Sequence, residues 1–267
     1  MFRKFIWPLL LLASISLMVV FIIGFATSIT VSNGNRMEPT NTSETLITEP
    51  TQGIDPNANS ENDKPNILIL GDSIGFGIGD ETNQGLGKRY AMLLDPESLQ
   101  EIKITNLSIP GESVDGLLES LKQPENSGAI SEATLIILSI GGNDINALNS
   151  SDTQVDYSDT LKHYTEALQG IVNLIRTINN RAQLTVIGLY DPYAENDTYK
   201  TNLLLQWNYE TMRIAASDLR MVYVPTYDLF KYNLRSYLAV DQFHPSGLGY
   251  QAISEELYRI LHGVTPK

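Results

Sequence analysis

Apolar and polar positions divide this chain into three regimes. From Phe5 to Ala26 the run is apolar apart from Ser14 and Ser16, and no charge follows until Arg36. From Thr27 to Lys64 the residues are mostly Ser, Thr, Asn, Glu, Pro and Gly, too polar to offset the entropy of ordering a chain. From Asn66 onward, short aliphatic runs alternate with stretches of helical periodicity. Ile67 to Leu70 is an unbroken aliphatic run between Pro65 and Gly71, the pattern of a strand buried on both faces of a parallel sheet.

The same reading predicts further strands at 102–107, 134–140, 184–189 and 221–224. It predicts helices at 86–94, 114–121, 202–219 and 246–261. Leu161, Tyr164, Leu168, Ile171, Val172, Ile175 and Ile178 recur at helical spacing and mark one more, long and amphipathic. Five strands alternating with five helices predict an α/β domain, a three-layer α/β/α sandwich around a five-stranded parallel sheet. Crossovers must be right-handed, but strand order is left open. The expected organisation is a membrane segment over 1–28, a flexible linker over 29–64 and a single domain over 65–267.

The first regime is long enough to span a bilayer, where about 20 apolar residues suffice, and exceeds the apolar core of about 7–15 residues in a cleaved signal. Arg3 and Lys4 orient its amino end to the cytoplasm and leave the rest outside. The expectation is a single-pass anchor in a bacterial cell membrane with an extracytoplasmic domain. Gly24-Phe25-Ala26-Thr27-Ser28 leaves room for cleavage and secretion. Cysteine is absent, which removes disulfides, thiol nucleophiles and thiolate metal sites. The net charge of −13 is poorly suited to nucleic acid.

In parallel sheets, reactive groups collect after the carboxyl ends of strands. The loops there carry Gly71-Asp72-Ser73, Ser108-Ile109-Pro110-Gly111-Glu112, Gly141-Gly142-Asn143-Asp144 and Asp241-Gln242-Phe243-His244. Serine needs a base, itself oriented by a third group. His244 is the best base, because His163 lies off the apolar stripe of its helix and His262 sits at the chain end, both read as surface residues. Asp241, three residues earlier, can aim its carboxylate at the imidazole. The backbone N–H groups of Ser73 and Gly111 and the amide of Asn143 are candidate oxyanion donors. Asp72 reads as a turn-shaping, capping residue.

Together the four blocks resemble the SGNH/GDSL hydrolase family, with Ile74 where its leucine would stand. The resemblance covers about Asn66 to His262 and implies a flavodoxin-like sheet. It also implies catalytic Ser73, Asp241 and His244, with Ser73, Gly111 and Asn143 as the oxyanion hole. Within the family the chain looks like lysophospholipase-like, membrane-anchored members, and Gly188-Leu189-Tyr190-Asp191-Pro192 adds to that. The implied function is a serine esterase or acylhydrolase needing no cofactor and no metal, acting on a lipid, lysophospholipid or acetylated-glycan ester. An acyltransferase with the same acyl-enzyme, or a non-catalytic binding module, is the alternative.

Other readings of these residues are weaker. An α/β-hydrolase elbow would need strands ahead of the serine. Gly75-Phe76-Gly77-Ile78-Gly79 is misspaced for a dinucleotide fingerprint, and Asp80-Glu81 would repel a pyrophosphate. Ile74, Phe76 and Ile78 suit either an acyl site or the core.

Overall fold

Ile67 to Leu70 form the buried centre of β1 (Asn66–Gly71). Aliphatic residues without polar interruption can be covered on both sides, and here they are. The computed structural model describes residues 65–97, 99–150, 157–193 and 198–263, all within one compact unit, Asn59–Lys267. The segments 1–28 and 29–64 lie outside the described residues. Among those described, no helix is long and apolar enough to cross a membrane.

With β1, the strands β2 (Lys103–Asn106), β3 (Leu135–Ser139), β4 (Gln183–Ile187) and β5 (Met221–Val224) form one parallel sheet in the order β2-β1-β3-β4-β5. This is the flavodoxin-like order, whose connections reverse direction between β1 and β3. At that point the register pairs Gly71 with Ser139, the last residues of the two strands, so the loops that follow them start side by side.

Alternate residues face opposite layers. Leu68, Leu70, Ile136, Leu138, Leu184 and Val186 enter one core, while Ile67, Ile69, Leu135, Ile137 and Ile187 enter the other. The helices in chain order are α1 (Ser73–Phe76), α2 (Gly85–Leu94), α3 (Val114–Leu121), α4 (Pro124–Glu132), α5 (Gly142–Ser150), α6 (Tyr157–Ile178), α7 (Thr198–Ala216), α8 (Tyr227–Lys231), α9 (Leu234–Tyr237) and α10 (Gly247–His262). The buried faces of α3, α6 and α7 cover the first core, and those of α2 and α10 cover the second. Ser113 and Ser246 cap α3 and α10 by accepting from the N–H of Gly116 and Gly249.

Ten helices among the described residues replace the five expected. The additional ones lack a periodic apolar face: α4 buries only Ile130, and α1, α8 and α9 are four or five residues long. α5 starts at Gly142, inside what reads as a loop. β2 is an edge strand without a fully buried residue.

Candidate active site

The position of Ser73 follows from a glycine with no freedom to be anything else. Gly71 has φ +135°, and a Cβ there would lie 1.7 Å from the Ser139 carbonyl oxygen. The chain therefore leaves β1 pressed against β3, and the Asp72 N–H donates to that carbonyl at 2.9 Å. Asp72 is the N-cap of α1; its Oδ1 accepts from the Ile74 N–H at 3.0 Å and from Ser139 Oγ at 3.2 Å. Burial pushes the Asp72 carboxyl up to about 6, against the lowering effect of those hydrogen bonds. Asp72 thus has the capping role its position suggested, and Ser73 is held as the first residue of α1.

Serine, histidine and aspartate meet in one chain of contacts. Ser73 Oγ lies 3.0 Å from His244 Nε2, and His244 Nδ1 lies 2.7 Å from Asp241 Oδ2. The other oxygen, Asp241 Oδ1, accepts the N–H groups of Phe243 and His244, each at 3.0 Å. Burial alone would raise the Asp241 pKa, but the bonds from the His244 ring and these two N–H groups outweigh it and hold the carboxyl below its ordinary value. A positive φ at Gln242 (58°) lets the tight loop close. The Ala239 N–H donates to the His244 carbonyl at 2.8 Å, and the Ser246 N–H donates to the Tyr237 carbonyl at 2.7 Å, tying the loop to the end of α9.

The second and third loops are joined to each other. Asn143 Nδ2 donates to the Glu112 carbonyl at 2.8 Å, leaving its second amide hydrogen for another acceptor. Asp144 accepts the Val114 N–H at 3.2 Å and so braces the start of α3. Gly111 is exposed, with φ +83°. It lies outside the lining of the cleft at Ser73 and connects to it through Glu112 and Asn143.

That cleft encloses about 100 Å³, and Ser73, Asn143 and Phe243 lie on its wall. Ile74, Ile145, Leu189, Pro192, Leu203 and Leu204 make the wall chiefly apolar. Of the three apolar side chains after the serine, only Ile74 faces it; Phe76 and Ile78 line a separate depression beside β2. His163 is exposed and paired with Asp115 at 2.6 Å. His262 is also exposed, but it is not simply solvated, since its Nε2 is 3.1 Å from Tyr90 Oη and its ring packs against Tyr258. Among the described residues, no group of three His, Asp or Glu side chains is placed to hold a metal.

Sequence reasoning missed the Ser139 and Glu112 contacts and the Tyr190 hydroxyl, which donates to the Phe243 carbonyl at 2.6 Å. Ser139 was foreshadowed only as the last polar residue of a buried run. The Glu112 contact uses a backbone carbonyl and has no signal in the sequence.

Residues 69–252 match the GDSL-like lipase/acylhydrolase family. The spore germination lipase LipC of Bacillus licheniformis is 24% identical over 197 residues, covering 70% of this chain and 92% of that protein. The uncharacterized protein YpmR of Bacillus subtilis is 26% identical over 205 residues, covering 73% and 80%. Among solved structures, the lipase Lip_vut3 from a goat rumen metagenome aligns with a TM-score of 0.66 and 24% identity, over 73% of this chain and 96% of that one. Axe2, an acetylxylan esterase from Geobacillus stearothermophilus, aligns with a TM-score of 0.58 and 17% identity, over 74% and 94%.

Proposed function

The chain belongs to the GDSL-like lipase/acylhydrolase family and is a hydrolase acting on esters, and from that premise we propose that it works through an acyl-enzyme on Ser73. The observation that carries the proposal is the contact chain Asp241–His244–Ser73, at 2.7 and 3.0 Å, ending on an apolar cleft.

In this reading Ser73 Oγ attacks the ester carbonyl as its proton passes to His244 Nε2. Asp241 keeps the proton on Nδ1 and stabilises the imidazolium. The Ser73 N–H and Asn143 Nδ2, both on the cleft wall, receive the developing oxyanion, each donor contributing about 2.7–4 kcal/mol by analogy with measured oxyanion donors; the Gly111 N–H, beside Glu112 and outside that wall, is the third donor the family resemblance implies. His244 Nε2 then returns the proton to the departing alcohol oxygen. Water, deprotonated by the same nitrogen, attacks the acyl carbon; as the acyl–Oγ bond breaks, Nε2 returns that proton to Ser73 Oγ and the acid is released.

The apolar wall of Ile74, Ile145, Leu189, Leu203 and Leu204 supports an acyl group larger than acetyl, as in a lipid or lysophospholipid ester. The 22-residue apolar run behind Arg3 and Lys4 supports attachment to the outer face of a bacterial membrane.

The test is turnover of p-nitrophenyl acetate, butyrate and octanoate by the full chain and by Ser73→Ala. Loss of roughly 10³-fold or more is expected in the variant, with butyrate and octanoate preferred by the parent. A Ser73→Ala protein as active as the parent would sink the assignment, and a preference for acetate would move the substrate toward acetylated glycans.

A further inference from the structure

The run Gly188-Leu189-Tyr190-Asp191-Pro192 follows β4; Leu189 and Pro192 serve the cleft wall, but no proton transfer or oxyanion contact described above uses Tyr190. It is nonetheless clamped at almost every residue. The amide of Asn208 brackets Leu189, accepting its N–H at 2.8 Å and donating to its carbonyl at 2.7 Å. Thr226 Oγ1 donates to the Gly188 carbonyl at 2.6 Å. Asp191 accepts the Tyr193 N–H at 2.9 Å and the Thr201 hydroxyl at 3.0 Å. Asn208 and Thr226 are themselves buried, so these clamps fasten the run to α7 and to the segment after β5.

From this rigid mount Tyr190 reaches across to the histidine loop. Its ring stacks on Phe230 at 4.0 Å and 12°, and Phe230 is wholly buried against the edge of Tyr237. Its hydroxyl donates to the Phe243 carbonyl, one residue before His244. The rings of Phe243 and His244 meet edge to face at 5.0 Å. Apart from the His244–Ser73 contact itself, the other bonds that shape this loop either stay within it or tie it to the end of α9. Tyr190 braces it from the cleft side.

We propose that Tyr190 is a positioning residue for the base, its hydroxyl holding the Phe243–His244 segment so that Nε2 stays within proton-transfer distance of Ser73 Oγ. The proposal rests on His244 being the base. A misplacement of about 1 Å can cost on the order of 10²-fold in rate, so one bond that sets loop position has leverage well beyond its contribution to folding. Burial raises the Tyr190 pKa well above its ordinary value, so the hydroxyl stays a donor through the working pH range.

The experiment compares the full-length parent with Tyr190→Phe, which keeps the ring, the Phe230 stack and the cleft wall and removes only the hydroxyl. With p-nitrophenyl butyrate, kcat is expected to fall about tenfold with KM unchanged within about twofold. Fluorophosphonate labelling of Ser73 should slow in proportion, counted per folded molecule. Phe230→Leu, which loosens the mount but leaves the hydroxyl, should shift kcat in the same direction by less. A parent-like kcat and labelling rate in Tyr190→Phe overturns the proposal, even if its melting temperature falls, because the residue would then be structural only. A Ser73→Ala protein that labels like the parent overturns the site assignment itself, so the two failures are distinguishable.

Discussion

Gly79 lies directly against His244. A Cβ built on Gly79 would sit 2.9 Å from His244 Cβ and 2.5 Å from the Pro245 carbonyl oxygen, and the residue has φ +90°. The loop after α1 and the loop that carries His244 therefore share a contact that admits no side chain. Gly79→Ala must either strain its own backbone or push His244 away from Ser73. A stability loss of about 1–3 kcal/mol is expected from the overpacking, with kcat lowered more than tenfold. Urea denaturation and ester turnover measure the two separately, and a parent-like kcat would mean the histidine loop yields without losing its alignment.

Asn143 joins two loops and supplies an amide to the cleft. If Asn143 holds the oxyanion as proposed, Asn143→Ala should lower kcat by about 10²–10³ while changing KM little, because the bond lost would be one made only to the transition state. Asn143→Asp should be no better, since a carboxylate offers no donor and adds negative charge where an oxyanion must form. Equal kcat in parent and alanine variant would remove Asn143 from the oxyanion site.

Asp72 makes stability depend on pH in the sense opposite to most carboxylates. Burial raises its pKa from 3.8 to about 6, so the folded state holds the proton more tightly than the unfolded state does. The stabilisation is complete below about pH 4 and is lost as pH rises to about 6, with a total change of about 3 kcal/mol. Asp72→Asn keeps an acceptor for the Ile74 N–H and the Ser139 hydroxyl but cannot ionise. Denaturation midpoints measured from pH 4 to 7 should decline for the parent and stay nearly level for the variant. Parallel curves would contradict this.

Asp80 works the other way. Its side chain is fully buried, and burial alone would raise its pKa. Arg89 at 3.0 Å, Thr82 and the N–H groups of Gly85 and Thr82 outweigh that and hold it far below the carboxylate range. The pair contributes stability above about pH 4 that disappears as the solution becomes strongly acidic. Arg89 also donates to Gln251 on α10, and Glu81 accepts the Gly247 N–H at its start. Asp80→Asn should cost about 3–5 kcal/mol by leaving the Arg89 charge buried without its partner. Chemical denaturation at pH 7 tests this, and a loss under 1 kcal/mol would show that Arg89 finds water or another acceptor.

The legible parts of the fold were those with strong periodicity. Leu135 to Ser139 had no other reading than a buried strand, and Val114–Leu121 forms the helix its spacing predicts. α4 stayed hidden because Pro-Glu-Asn-Ser-Gly-Ala-Ile-Ser-Glu offers one apolar anchor, and its helix depends on packing Ile130 into the core. The glycines at 75 and 79 look like a damaged nucleotide motif until the structure shows Ser108 Oγ and His244 in the space their side chains would fill.

By itself the sequence determined the strand–helix alternation and the order of the four polar blocks, because burial on a sheet and spacing on a helix are local properties of side chains. It therefore nominated Ser73, Asn143, Asp241 and His244. Tertiary structure alone decided the order β2-β1-β3-β4-β5, which puts β1 beside β3 and Gly71 beside Ser139. It also decided the 3.0 Å approach of His244 to Ser73 across 171 residues and the Tyr190 brace that meets the same loop. Those depend on where separate elements come to rest when two cores pack at once, and no local pattern of residues encodes that distance.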